Sequence, residues 1–320
     1  MLAPLADAPR LVVDAQLTPL AGSIFQPTGF PDLGAATFQR PGGPASLLVE
    51  SVQSMANHFE SLGWDSPQQQ PIELLADLPY VEVTDSSGSF LTSSRLEPHR
   101  LAAAYVRNGA IDGQGGAEWI AGQLGTTPGK PLDWRAIYQA IYALDPLCLV
   151  HGVFFSDRRW HGTPRIRRAL TAVIEAHDVS PAISGGLKRD DVQIKSSEGM
   201  SADEGYGFIP FGRTEYVAGE ILLTAVVDLE QIRGYGLDAR ATELLTLVAL
   251  WELSTLLSGS LRLRTACDLE VQKVTIRKPT RGFRLPAPRQ LGAAIEKLAS
   301  RAFERRGAQR VVWEPKRKAA

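Results

Sequence analysis

From residue 10 to 18 apolar and polar positions alternate, with Leu11, Val13, Ala15 and Leu17 on one side. This predicts a half-buried strand, ended by Pro19. Leu48, Val52, Met55, Phe59 and Leu62 then recur at helical spacing and predict a helix over 46–62. A short strand is expected at 78–83. Ser94-Arg-Leu-Glu97 has the capping-box form and predicts a helix start near Ser94. Asp133 is placed to cap a helix whose apolar side is Ile137, Ile141 and Leu144. The run 147–155 has the composition of a buried strand, whereas Leu170, Val173 and Ile174 predict a helix over 166–177. Residues 216–229 form a long strand pattern, 241–257 the most hydrophobic helix, and 261–276 an alternating pair of strands. A basic amphipathic helix over 289–306 carries Leu291, Ile295, Leu298 and Ala302.

Between these elements lie three stretches with other chemistry. Residues 22–34 are dense in Gly and Pro yet hold Phe25 and Phe30, and 109–131 form a glycine-rich insertion. The segment 179–210 lacks any strong period and exceeds the usual length of a structureless connection, which marks it as mobile or functional. Strand, long helix, strands, helix and strand, with insertions, predict an α+β fold of ferredoxin-like type.

Composition narrows the picture. A hydrophobic share of 44% over 320 residues supports a sizeable core. The longest clean apolar run, 244–251, is too short for a membrane span. The N-terminus has no basic start followed by an apolar stretch, and Cys148 and Cys267 stand far apart, so a reduced, cytoplasmic protein is expected. The net charge of −1 conceals a division. Residues 1–257 hold 18 Lys+Arg against 30 Asp+Glu, and residues 258–320 hold 16 against 5. Such a basic end meets either nucleic acid or the acidic part of a neighbour.

Catalytic motifs are weak. Gly125-Thr-Thr-Pro-Gly129-Lys130-Pro131 lacks the spacing and the Ser or Thr of a phosphate-binding loop, and there is no Gly-x-Ser-x-Gly elbow. His58, His99, His151, His161 and His177 show no zinc-type pairing, and Asp190-Asp191 fits a solvated loop. No cofactor or metal is expected. More persuasive is the polar face of the 46–62 helix, where Gln53, Ser54 and Asn57 offer uncharged groups for phosphate oxygens or ribose hydroxyls. Basic residues recur in small groups: Arg95 and Arg100, Arg158 and Arg159, Arg165 with Arg167 and Arg168, Lys188 and Arg189, Arg262 and Arg264.

The stretch Phe25-Gln-Pro-Thr-Gly-Phe-Pro-Asp-Leu-Gly34 and the later Leu48-Val-Glu-Ser-Val-Gln-Ser-Met-Ala-Asn57 carry a family resemblance. So do Leu96-Glu-Pro-His-Arg-Leu101, His151-Gly-Val-Phe154, Ser184-Gly-Gly186, Pro210-Phe-Gly-Arg-Thr-Glu215, Arg233-Gly-Tyr-Gly-Leu237 and Leu261-Arg-Leu-Arg-Thr-Ala-Cys-Asp-Leu269. Together they resemble the CRISPR-associated RAMP proteins that form the backbone of type I-U (I-G) Cascade. The matches run in order over about residues 10–270; beyond 280 nothing is matched.

The resemblance implies a modified RRM palm over 1–279, with inserted fingers (about 84–132) and a thumb (about 180–209); the basic C-terminal helix and tail (280–320) are read from their own residues alone. It implies a non-catalytic subunit that stacks head to tail along crRNA beside other Cascade subunits. The guide is left to pair with target DNA, so base pairing reads the sequence and the protein holds backbone and shape. Carried onto this chain, it makes Gln26, Thr28, Gln53, Ser54 and Asn57 contacts along the crRNA backbone. His99, Arg100 and Arg213 lie in matched motifs as phosphate ligands or braces of the fold, and Arg262 and Arg264 join the basic set. Lys188 and Arg189 would meet RNA from the thumb, with Ile183 or Leu187 as an apolar wedge. The competing expectation is a RAMP endoribonuclease using His99 or His151 as base with Arg100 for the phosphate, or a thumb aspartate, Asp190 or Asp191.

Overall fold

Six elements carry the architecture of the computed structural model, which describes residues 1–30, 34–39, 41–188, 209–259, 261–279, 282–303 and 306–315. They are strand β1 (Arg10–Pro19), helix α1 (Val52–Ser61), strands β2 (Leu170–Lys188) and β3 (Ile209–Asp228), helix α2 (Ala239–Ser258) and strand β4 (Cys267–Lys278). In the sheet they lie in the order β4-β1-β3-β2, every neighbour antiparallel. That order is the ferredoxin-like arrangement of RRM domains, and the fold is the α+β one expected from the sequence. Ala45–Glu50 and Thr37–Gln39 extend the β2 edge and Leu261–Arg264 the β4 edge.

Alternation along the strands sets the layers. Leu11, Val13, Ala15 and Leu17 of β1 share a buried face with Ala225, Leu223 and Ile221 of β3 and Ala172, Ile174 and Ala176 of β2. Helices cover this face. α2 is buried nearly all round because Pro288–Ala299 packs on its outer side, and this is why its sequence is apolar on every face. It is long and apolar enough to cross a membrane, but it serves as the core helix. The opposite face of the sheet shows Val12, Asp14 and Gln16 of β1 beside Leu222, Thr224 and Val226 of β3.

Beyond His177 and Glu220, β2 and β3 leave the sheet and pair with each other out to Lys188 and Ile209. The departure falls where Asp178 adopts φ +55° and where a Cβ at Gly219 would meet the Asp178 carboxylate at 2.9 Å. At about 3.3 Å per residue the free ribbon is about 30 Å long. Residues 180–188, aperiodic in sequence, are therefore regular strand. Residues 189–208 lie outside the described part.

Several local expectations are corrected. Residues 45–50 are strand, held between Thr37–Gln39 and β2, and the helix begins only after Ser51, whose hydroxyl accepts from the Ser54 amide. Ser94 caps nothing. Its hydroxyl donates to Asp145 at 2.6 Å and accepts from the Val81 amide. The run 147–155 divides into a helix, Leu147–His151, and a short strand, Val153–Phe154, because Gly152 breaks it. Residues 170–177, expected as helix, are the start of β2, since pairing to β3 on one side and 46–50 on the other satisfies their backbone. The glycine-rich stretch contains a helix, Gly116–Leu124. Asp133 caps its helix as expected, accepting from the Ala136 amide.

The 84–132 segment contributes to a second sheet, where Tyr80–Thr84 pairs with Phe90–Ser93 and, in parallel, with Ala308–Val312. The chain beyond 280 is thus built into the fold: Leu291, Ile295 and Ala299 of its helix are buried.

Candidate nucleic-acid interface

Two open grooves, each of about 470 Å³, receive most of the sequence-predicted site residues. The first lies between residues 26–29 with 34–35 and the base of the β2–β3 ribbon and is lined by Gln26, Thr28, Arg213 and Arg264. Phe25 anchors this loop: its ring is fully buried and its backbone pairs with Tyr216 on β3. The Arg264 guanidinium donates to the Gln26 and Val49 carbonyls and pairs with the buried Glu50. Arg213 sits 3.0 Å from the Glu215 carboxylate. Both cations in this groove therefore have carboxylate partners.

The second groove runs past the start of α1 and holds Gln53, His99, Arg165, Arg167 and Arg168. Its wall is the Val153–Phe154 strand paired with Arg165–Ile166. The pairing turns Val153 and Ile166 inward and sets Phe154 and Arg165 outward. Arg168 donates to the side-chain amide oxygen of Gln53, Oε1, at 3.0 Å. Among the described residues no carboxylate lies within ion-pair distance of Arg165, Arg167 or Arg168, so their charges face the groove uncompensated. The N-terminus of α1 adds positive potential at the same place.

The geometry separates the basic residues into braces and surface groups. Arg100 is a brace. Its guanidinium is gripped by both Glu60 oxygens at 2.7 and 2.6 Å and donates to the Gly152 carbonyl, so of the two roles expected for it the geometry shows the bracing one. Arg95 is likewise internal, donating to the carbonyls of Leu75, Leu78 and Pro79, and burial pulls its pKa down. His99, Gln53, Asn57 and Arg262 are exposed, while Ser54 is half-buried beside its cap. Of these, Ser54, Asn57 and Arg262 lie outside both grooves. The Leu187 and Lys188 side chains and residues Arg189, Asp190 and Asp191 fall outside the described part, whereas Ile183 stands 92% exposed on the ribbon.

Beneath the second groove lies a buried polar layer. His151 Nε2 is 2.9 Å from Glu252 on α2. Burial pulls the imidazole down and the Glu252 carboxylate outweighs it, so His151 stays above its ordinary value. Burial in turn pushes Glu252 up. Gly152 connects this layer to the groove wall at φ +79°, where a Cβ would stand 2.8 Å from the Ile166 carbonyl oxygen. Gly152→Ala is expected to destabilise the fold by about 2 kcal/mol, read as a lower urea midpoint with unchanged m-value. An unchanged midpoint would mean that the wall shifts freely.

Arg165, Arg167 and Arg168 appear in the sequence only as one basic group among several; what sets them apart after folding is that all three line one groove in which, among the described residues, no carboxylate lies within ion-pair distance of them. Among the described residues no group of three His, Cys, Asp or Glu side chains is placed to hold a metal ion.

A family model described as CRISPR-associated protein GSU0053 (Cas_GSU0053) matches residues 11–181. No curated protein matches the sequence significantly. Similar solved chains include one from a CRISPR RNA-guided surveillance complex, pre-nicking, 16% identical over 91% of this chain and 89% of that one, at a TM-score of 0.41. Another, from a CRISPR RNA-guided surveillance complex, is 14% identical over 91% and 84%, at 0.35. The crystal structure of Thermofilum pendens Csc2 is 12% identical over 94% and 75%, at 0.32. Scores of this size carry no functional argument, which rests on the family match and the grooves.

Proposed function

The chain belongs to the family of CRISPR-associated protein GSU0053, and from that premise we propose that it is a non-catalytic, guide-RNA-holding backbone subunit of a type I-U (I-G) surveillance complex. Copies stack head to tail along crRNA beside other subunits in the cytoplasm, and the guide they hold pairs with target DNA.

The observation that carries this reading is the second groove, where exposed Arg165 and Arg167 and half-buried Arg168 have no carboxylate within ion-pair distance among the described residues, beside the N-terminus of α1. Cations left uncompensated in a chain of net charge −1 are suited to phosphates. The sheet itself argues for backbone contacts: its open face presents Val12, Asp14 and Gln16 on β1 and Leu222, Thr224 and Val226 on β3, with no aromatic ring there on which bases stack in RRM domains. A chain that holds phosphates and leaves bases free suits a guide read by pairing.

The endoribonuclease alternative assigns the phosphate to Arg100, which Glu60 engages, but His99 shares its groove with Arg165, Arg167 and Arg168, so an RNA cleavage assay discriminates the two readings. Light scattering on the protein with single-stranded RNAs of increasing length tests the proposal. Protein mass is expected to rise stepwise with RNA length and to fall back at high salt. Repeat RNA is expected to stay intact with or without magnesium. A fixed mass at every length, or cleaved RNA, would overturn the reading.

A further inference from the structure

We propose that the second groove holds one nucleotide of single-stranded RNA with its base turned out of the strand and stacked on Phe154. The proposal rests on the reading of the chain as an RNA-binding subunit and adds to it a base-contacting residue.

Phe154 is 44% exposed, although Val153 and Phe155 on either side are buried at 4% and 0%. Its position opposite Arg165 in the strand pair fixes this orientation. The Arg165 guanidinium lies over the ring, 5.2 Å from its centroid, so the aromatic and a cation are presented as one unit. Within the same groove Arg167 and Arg168 supply charge for phosphate, and Gln53 and His99 supply hydrogen-bonding groups.

The floor is closed: His151 lines the groove and is 1% exposed, with Nε2 bonded to Glu252. A π-face and cations within about 470 Å³ match one nucleotide, its base on Phe154 and its phosphate on the arginines.

The test uses the full chain and single-stranded RNA bearing 5-iodouridine, irradiated and mapped by peptide mass spectrometry. An adduct on Phe154 is expected. Phe154→Leu is expected to lose about tenfold in affinity with an unchanged slope of log affinity against log salt, because no phosphate contact is removed. Phe154→Trp should restore binding, and its melting temperature and that of the leucine variant should match the parent. RNA with abasic positions should bind the parent about as weakly as intact RNA binds Phe154→Leu. If the parent binds RNA in a salt-dependent way but Phe154→Leu binds equally well, the stacking proposal fails and the subunit reading stands. If affinity falls together with the salt slope, Phe154 acts by placing Arg165, and stacking is again overturned. If the parent binds no RNA, the subunit reading itself fails.

Discussion

Replacing Arg165, Arg167 and Arg168 together by glutamine is expected to weaken single-stranded RNA binding about a hundredfold near physiological salt. Each guanidinium donates a charge-assisted hydrogen bond to phosphate, and removing about 1 kcal/mol net for each of the three gives that factor. Counterion release supplies a second signature. Each phosphate neutralised on a single strand contributes about 0.7 to the slope of log affinity against log salt, so the triple variant should bind with a slope smaller by about 2. Fluorescence anisotropy titrations at several salt concentrations measure both quantities. Arg159→Gln is the control: Arg159 is paired at 3.0 Å with Asp157 and should change little. If the triple variant kept both affinity and slope, the groove would not be where RNA phosphates lie. Arg165 and Arg167 are exposed and Arg168 is half-buried with its guanidinium on the Gln53 side chain, so the melting temperature of the triple variant is measured beside its affinity.

Glu60→Ala is expected to produce the largest loss of stability, about 3 kcal/mol, measured as a fall in urea midpoint. Glu60, on the last turn of α1, holds the Arg100 guanidinium at two points, and the side chains are only 15% and 8% exposed. Removing the carboxylate leaves a nearly buried cation without its counter-charge, which costs more than the pair itself contributes. Arg100 also donates to the Gly152 carbonyl at 3.1 Å, so the loss reaches the junction between Leu147–His151 and the groove wall. The double variant Glu60→Ala/Arg100→Met should be more stable than Glu60→Ala alone, because the stranded charge is gone. Equal midpoints for the two would show that the pair is solvated in practice and braces nothing.

The places where sequence and structure part company share a cause. Leu170, Val173 and Ile174 satisfy helical spacing, but Ala172, Ile174 and Ala176 satisfy the two-residue period equally well. The choice falls to partners remote in sequence: β3 and the 46–50 segment offer backbone groups on both sides, and a strand there leaves none unpaired. The apolar run 147–155 likewise has no local preference strong enough to decide. His151 finds Glu252 101 residues away, and Gly152 alone can turn the chain there. Ser94 is a capping residue by pattern, yet Asp145 claims its hydroxyl. In each case a local rule gives way to a long-range hydrogen bond.

The candidate site divides in the same manner. Gln26, Thr28, Gln53 and Arg264, taken from motifs, do line grooves, because the loops that carry them are pinned by Phe25 and by the cap at Ser51. Arg100 and Arg165 are indistinguishable as letters. One becomes an internal brace and the other a surface cation because Glu60 reaches the first and no carboxylate reaches the second.

By itself the sequence determined β1, α2, the Asp133 cap, the strand pair over 261–276 and the α+β class, since each rests on periodicity or on a contact within a few residues. Tertiary structure alone decided which apolar runs pair as strands, where the ribbon leaves the sheet and which arginines keep their charge for a ligand. Those outcomes depend on groups brought together from distant parts of the chain, whose pairing energy appears only when the fold closes.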